Sequence, residues 1–168
     1  MRPIHPPSHR VALVNEDLAL EALAILREAA VWTRSRGIEV WRESELCDRD
    51  FVQAARAGEL VMGFTDGHPC ATMLIQPADP LFWPEIAHDT SLYLHKIAKR
   101  PAAGQGWLGR LVDFAVHEAR ARQLRWLRLD TFHGSTLRNL YEQQGFIAVT
   151  EPPLFIEARW MIRMERRL

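Results

Sequence analysis

Cysteine is nearly missing from this chain: Cys47 and Cys70 are the only two, and no CxxC pair occurs. That speaks against a disulfide framework and against a structural zinc site built on thiolates, and Cys70, inside an apolar run, reads as a small buried side chain. No metal is expected. Net charge is missing too, because 21 Lys plus Arg balance 21 Asp plus Glu. The chain lacks the overall basic excess of many nucleic-acid binders, so no nucleic-acid partner is expected. No apolar run is long enough to span a bilayer, and the start, Met1-Arg2-Pro3-Ile4-His5-Pro6-Pro7, has no signal-peptide apolar stretch. We therefore expect no membrane partner and a reduced, cytoplasmic setting. No internal repeat is visible. Hydrophobic residues make up 48% of 168 positions, enough for one substantial core. The expected organisation is a loose proline-rich arm over 1–8 and a single domain over 9–168.

The most informative stretch is Ala103-Gly104-Gln105-Gly106-Trp107-Leu108-Gly109. An apolar run from Ser91 to Ala98 precedes it and reads as a strand, broken by Lys99-Arg100-Pro101-Ala102. A periodic helix follows, with Leu108, Leu111, Val112, Ala115, Val116 and Ala119 on one face. The first N–H groups of a helix have no internal partner, and the helix dipole places partial positive charge there. Glycines let backbone amides approach a phosphate, and Lys99 and Arg100 add formal charge. The stretch reads as a seat for a phosphorylated ligand. Gly104-x-Gly106-x-x-Gly109 also has the dinucleotide-fingerprint spacing, with Asp130 near the place of a ribose-binding acid. Its context fails: Arg100-Pro101-Ala102-Ala103 separates glycines from strand, Pro101 offers no N–H, and too little chain follows for further βαβ units.

Elsewhere, Arg10–Val14 reads as a strand. Asn15 caps a helix whose stripe is Leu18, Ala22, Ile25, Leu26 and Ala29, and Gly37 stops it. A second helix is expected over Asp50–Ala57. Glu59–Thr65 and His68–Ile75 form a hairpin across Asp66-Gly67. A long loop with Pro77, Pro80 and Pro84 carries Phe82, Trp83 and Glu85, and such loops often carry function. Leu124–Thr131 is a strand. Ser135 caps a last helix with Leu137, Leu140, Tyr141 and Gln144 on one face, ended by Gly145. Ile147–Thr150 and Leu154–Met164 read as the last strands, across Pro152-Pro153. These elements make an α/β class fold with a mixed sheet flanked by helices.

Three segments together resemble the GCN5-related N-acetyltransferase (GNAT) superfamily: Leu94-His95-Lys96-Ile97-Ala98, then Ala103-Gly104-Gln105-Gly106-Trp107-Leu108, then Leu140-Tyr141-Glu142-Gln143-Gln144-Gly145-Phe146. Ala103 stands where the family usually has Gln or Arg, and Leu108 where it has Gly or Ala. Backbone N–H groups can bind phosphate without either side chain. The resemblance implies a GNAT-like fold, a mixed and mostly antiparallel sheet with about four helices, and a possible homodimer. It implies acetyl-CoA as co-substrate, with pyrophosphate on Ala103, Gly104, Gln105, Gly106, Trp107, Leu108 and Gly109. The pantetheine and acyl carbonyl would lie along Ile97, Ala98 and Lys99, whose amides serve as oxyanion donors if the strand splays or bulges.

Direct transfer of an acetyl group to a primary amine, on a small molecule or a peptide, needs no enzyme nucleophile. It needs donors for the carbonyl oxygen, a proton for the thiolate and a base for the amine. Tyr141 matches the family's tyrosine and is the candidate acid. His95 is a candidate base, with Glu85, Asp89 and Asp130 as others. Many relatives carry Asn where this chain has Gly134, so Ser135 or Asn139 is expected to contact CoA in its place. Trp32 and Trp41 lie in the region that walls the acceptor site in relatives, though packing in the core or as a cap is the favoured role for both. A non-catalytic acyl-CoA-binding module on the same fold is the alternative function.

Overall fold

The computed structural model describes residues 6–149 and 153–168. Most of the expected arm and Pro152 lie outside these. Ser8 does not: its N–H donates to Asp66 Oδ1 at 2.8 Å, and its carbonyl accepts from Asp66 N at 2.9 Å. The elements are β1 (His9–Leu13), α1 (Ala19–Arg34), α2 (Asp48–Arg56), β2 (Leu60–Thr65), β3 (His68–Gln76) and β4 (Ser91–Lys99). Then come α3 (Trp107–Ala121), β5 (Trp126–Phe132), α4 (Leu137–Glu142), β6 (Ile147–Ala148), β7 (Leu154–Ile156) and β8 (Arg159–Arg167). The strands form an eight-stranded sheet in the order β1-β2-β3-β4-β5-β8-β6, with β7 on β8. β4 and β5 run parallel, and the other described ladders are antiparallel.

The chain divides into two compact units, residues 1–74 with 96–111, and residues 75–95 with 112–168. In the first, α1 buries Ala19, Ala22, Leu23, Ile25, Leu26, Ala29 and Ala30. Phe51, Ala54 and Ala55 of α2 and Leu60, Met62 and Phe64 of β2 join them. The α1 stripe matches its periodicity. Leu18 is the exception: it ends a 3-10 turn, Glu16–Leu18, which Asn15 caps before α1 begins. Asp66 and Gly67 close the β2–β3 hairpin at φ values of 49° and 81°, the left-handed pair that a two-residue turn requires. Trp41 packs against this core, whereas Trp32 is 43% exposed, with the Arg36 guanidinium 3.7 Å from its ring centroid. Core packing thus holds for Trp41 only.

Trp107, the first residue of α3, is 1% exposed. A Cβ built on Gly63 of β2 would come within 2.8 Å of Trp107 Cε3 and 3.1 Å of Ala71 Cβ. Only glycine at 63 leaves room for the indole, so β2 sets where α3 starts.

The second unit is organised by β5 and β8, paired from Trp126↔Arg167 to Phe132↔Met161. Arg128, 6% exposed, donates from Nε and Nη2 to Glu165 Oε2 at 3.2 and 3.1 Å and reaches Ser91 Oγ. The expected strand from Leu154 to Met164 is two, folded back at Glu157 and Ala158, which take φ values of 49° and 61°. Neither is a usual left-handed residue, so the turn carried no sequence signal. Of the strand expected over Ile147–Thr150, Ile147–Ala148 is regular, and Thr150 lies outside the described residues. In α4, Leu140 is 45% exposed rather than part of a buried face, and Phe146, beyond Gly145 at φ 82°, supplies the anchor at 1% exposure.

Replacing Gly63 by Ala should cost about 1–3 kcal/mol of stability, the usual cost of overpacking a filled site. Urea unfolding followed by tryptophan fluorescence would measure it; an unchanged midpoint would mean that the indole relocates freely.

Candidate functional site

The glycine loop belongs to the first unit. Gly104, Gln105 and Gly106 are exposed, and Trp107 anchors the helix behind them. Gly106 takes φ 84°, a conformation that L side chains rarely adopt. Arg110 N donates to Gly106 O at 3.2 Å, the start of the helical ladder. Among the described residues, the N–H groups from Gly104 to Gly109 donate to no backbone carbonyl outside the helix. They form a row of amides at the positive end of a fifteen-residue helix.

Of the two cations expected beside the loop, Lys99 is there and Arg100 is engaged elsewhere. Arg100 pairs with Glu21 and Glu28 of α1, and its Nε donates to Pro69 O at 3.1 Å. Those carboxylates hold its guanidinium charged despite its partial burial. Lys99 Nζ donates to Ala103 O at 2.8 Å, bracing the loop. Arg110 is the residue sequence reading missed. Its Nη1 donates to Gln105 O at 3.4 Å and would lie 2.6 Å from a Cβ on Gly106. Its place three residues after the helix start, one turn from the glycines, was the available signal.

β4 changes character along its length. Its ladder with β5 covers Ser91↔Trp126, Leu92↔Leu127 and Tyr93↔Arg128. β5 continues to Phe132, paired there with β8. Lys96 then takes φ 52°. A left-handed non-glycine residue inside a strand is a break in regularity, immediately before Ile97, Ala98 and Lys99.

The second unit gathers titratable groups around His95. Its Nε2 lies 3.6 Å from Asp79 Oδ2 and its Nδ1 3.8 Å from Asp130 Oδ1. Side-chain exposures are 6% for Asp79, 20% for His95 and 15% for Asp130. Each carboxylate faces a different ring nitrogen, the order of a proton-sharing chain. One donor atom from each of the three lies within 4.8 Å of the others, so the same set has the makings of a cation site, which cysteine counting did not reveal. Asp130 was a sequence candidate and joins His95. Glu85 instead pairs with Arg163, and its carboxyl is held low by a backbone hydrogen bond and by that guanidinium. Asp89 is exposed at φ 62°.

Asp79 was not singled out by sequence. It lies in the β3–β4 loop, where Oδ1 accepts from Phe82 N at 3.1 Å and its carbonyl accepts from Trp83 N at 2.8 Å. Trp83, 3% exposed, has the Arg163 guanidinium 4.6 Å and the Arg128 guanidinium 5.1 Å from its ring. The long loop is therefore fastened by an aspartate turn and a clamped indole.

Tyr141 is half-buried in α4, its ring edge-on to Phe146 at 6.2 Å. Burial first, and the Asp130 carboxylate second, push its phenol well above the ordinary value near 10. Ser135 Oγ accepts from Leu137 N at 2.9 Å, capping α4, and Asn139 is exposed on that helix.

No family model matches the chain. Over 143 residues, 79% of this chain and 78% of the relative, it is 27% identical to the uncharacterized N-acetyltransferase YesJ of Bacillus subtilis. A GNAT family acetyltransferase from Listeria monocytogenes matches in structure with TM-score 0.78 at 20% identity, covering 95% of each chain. The PaiA N-acetyltransferase of Thermoplasma acidophilum, solved with coenzyme A, matches with TM-score 0.71 at 12% identity, over 96% of this chain and 99% of that one.

A phenol raised in this way should be visible in absorbance near 295 nm. The phenolate signal that wild type shows and Tyr141→Phe lacks should emerge only well above pH 10, and Asp130→Asn should bring it to lower pH. Because the folded phenol keeps its proton beyond the unfolded value, its contribution to stability is complete below about pH 10 and is lost as pH rises further. A Tyr141 signal appearing near pH 10 would contradict the burial. The chain has the fold seen in GNAT acetyltransferases, and a curated relative bears the name of an N-acetyltransferase.

Proposed function

We propose that this protein moves an acetyl group from acetyl-CoA to a primary amine, on a small molecule or a peptide, by direct transfer. The observation that carries the proposal is the open row of amides from Gly104 to Gly109 at the start of α3, with Gly106 left-handed and Arg110 above it. Such a cradle suits a diphosphate, which coenzyme A supplies along with a thioester. Lys99 braces the cradle, and Arg100 adds nothing to it because α1 neutralises it.

The proton groups are those of the second unit. Tyr141, protonated across the physiological range, is a donor to a departing thiolate. Its raised value makes that proton harder to give than the ordinary phenol's. His95, flanked by two carboxylates, is the acceptor for the amine's proton. Amides at Ile97, Ala98 and Lys99, just past the break at Lys96, are the donors assigned to the carbonyl oxygen. Ser135, already spent on capping α4, contributes little to ligand binding, whereas Asn139 has an exposed side chain to offer. The alternative, a module that binds acyl-CoA without turnover, draws on Ala103 and Leu108, where the loop departs from the family pattern.

Calorimetry with coenzyme A and a thiol-release assay with acetyl-CoA and a panel of primary amines separate the outcomes. Binding with thiol release that depends on one amine is expected, and Tyr141→Phe should lower kcat about 100-fold. Binding without release for any amine would favour the module. No binding to folded protein would remove the proposal. Gly106→Ala, which strains φ and displaces the Arg110 guanidinium, should weaken coenzyme A by about tenfold while the fold persists.

A further inference from the structure

We propose that Asp79, His95 and Asp130 form a binding site for one divalent transition-metal ion of the zinc class. The site goes beyond the transfer reading and does not depend on it. Three elements of the second unit bring the residues together: the β3–β4 loop, β4 and β5. The parallel register from Ser91↔Trp126 to Tyr93↔Arg128, carried two residues further, sets His95 beside Asp130. Asp79 arrives from the loop in a fixed position. Its Oδ1 accepts from Phe82 N at 3.1 Å and its carbonyl from Trp83 N at 2.8 Å.

Two acidic side chains near a histidine do not by themselves make a metal site. The observation that points to a ligand is the second oxygen of Asp79. Oδ2 is buried, on a side chain 6% exposed, and has no hydrogen-bond partner. An ionised oxygen taken from water in this way is costly unless positive charge faces it. It faces His95, whose Nε2 lies 3.6 Å away, beyond hydrogen-bond reach. Ligand atoms on one zinc ion stand about 3.4 Å apart, given bonds of about 2.1 Å at tetrahedral angles. Nε2 with Asp79 Oδ2 at 3.6 Å and Nδ1 with Asp130 Oδ1 at 3.8 Å are both near that separation. A ring gives one nitrogen to an ion, and the site does not require a particular one. One donor atom from each of the three residues lies within 4.8 Å of the others. A shift of roughly 1 Å brings the widest pair to ligand spacing.

The donors are one imidazole nitrogen and two carboxylate oxygens. Magnesium and calcium prefer oxygen alone, whereas imidazole suits zinc and its neighbours, and two carboxylates balance the ion's charge. Three protein ligands leave a position for water. A ring that holds an ion is a poor base, so under the transfer reading zinc acts as an inhibitor.

Calorimetry of the full-length, chelator-stripped protein with zinc chloride tests the site. One equivalent should bind, and magnesium or calcium chloride at the same concentration should give no heat. Asp79→Asn keeps an oxygen for Phe82 N and removes the charge, and it should weaken zinc at least about tenfold. Zinc held instead on exposed histidines such as His88 or His133 would bind Asp79→Asn as well as wild type. That result, no binding to wild type, or magnesium binding equally well overturns the proposal. If Asp79→Asn fails to fold, NMR of wild type decides alone. Cobalt(II) should shift or broaden the His95 ring signals, assigned by their loss in His95→Gln, and signals unmoved at saturating cobalt overturn the site. A protein that binds zinc here yet acetylates no amine keeps the site and loses the transferase reading. One that acetylates an amine and binds no zinc does the reverse.

Discussion

The seat of Trp107 against Gly63 fixes where α3 begins. An indole at the first position of α3 has to be swallowed whole, and β2 can swallow it only where a side chain is missing. Once it is in place, the preceding residues have no freedom to continue as a helix, and Gly106 turns left-handed to bring the chain in. The exposed amides are thus a by-product of anchoring the helix by its first residue. The same burial that stabilises α3 leaves the unsatisfied N–H groups of its first turn at the surface.

In the second unit the controlling element is a pair of carboxylates held at low exposure. Asp79 and Asp130 would repel one another and resist burial without a cation or donors near them. His95 meets both, one at each nitrogen. Asp130 also raises the Tyr141 phenol, so one carboxylate bears on both groups to which proton transfer is assigned.

Local periodicity was enough to read α1, α3 and the Asp66-Gly67 hairpin, because each depends on neighbours in sequence. Gly63 looked like an ordinary strand residue, and its reason appears only when Trp107, far along the chain, is placed against it. Asp79 was passed over for the same reason: nothing in Pro77-Ala78-Asp79-Pro80 points to a histidine in the next strand. Arg100 looked like a phosphate ligand until the two glutamates of α1 claimed it. Long-range pairing, which composition does not encode, decided all three. Lys96 is different again. Its left-handed backbone would be announced by a glycine, and a lysine hides it.

The turn between β7 and β8 holds a left-handed pair, Glu157 and Ala158. Each such residue ties up about 1 kcal/mol of backbone energy that glycine or asparagine would release. The protein therefore carries unrealised stability at the tip of a hairpin. Two codon changes there offer an evolving lineage a way to offset damage elsewhere, with the proton-handling groups left as they are.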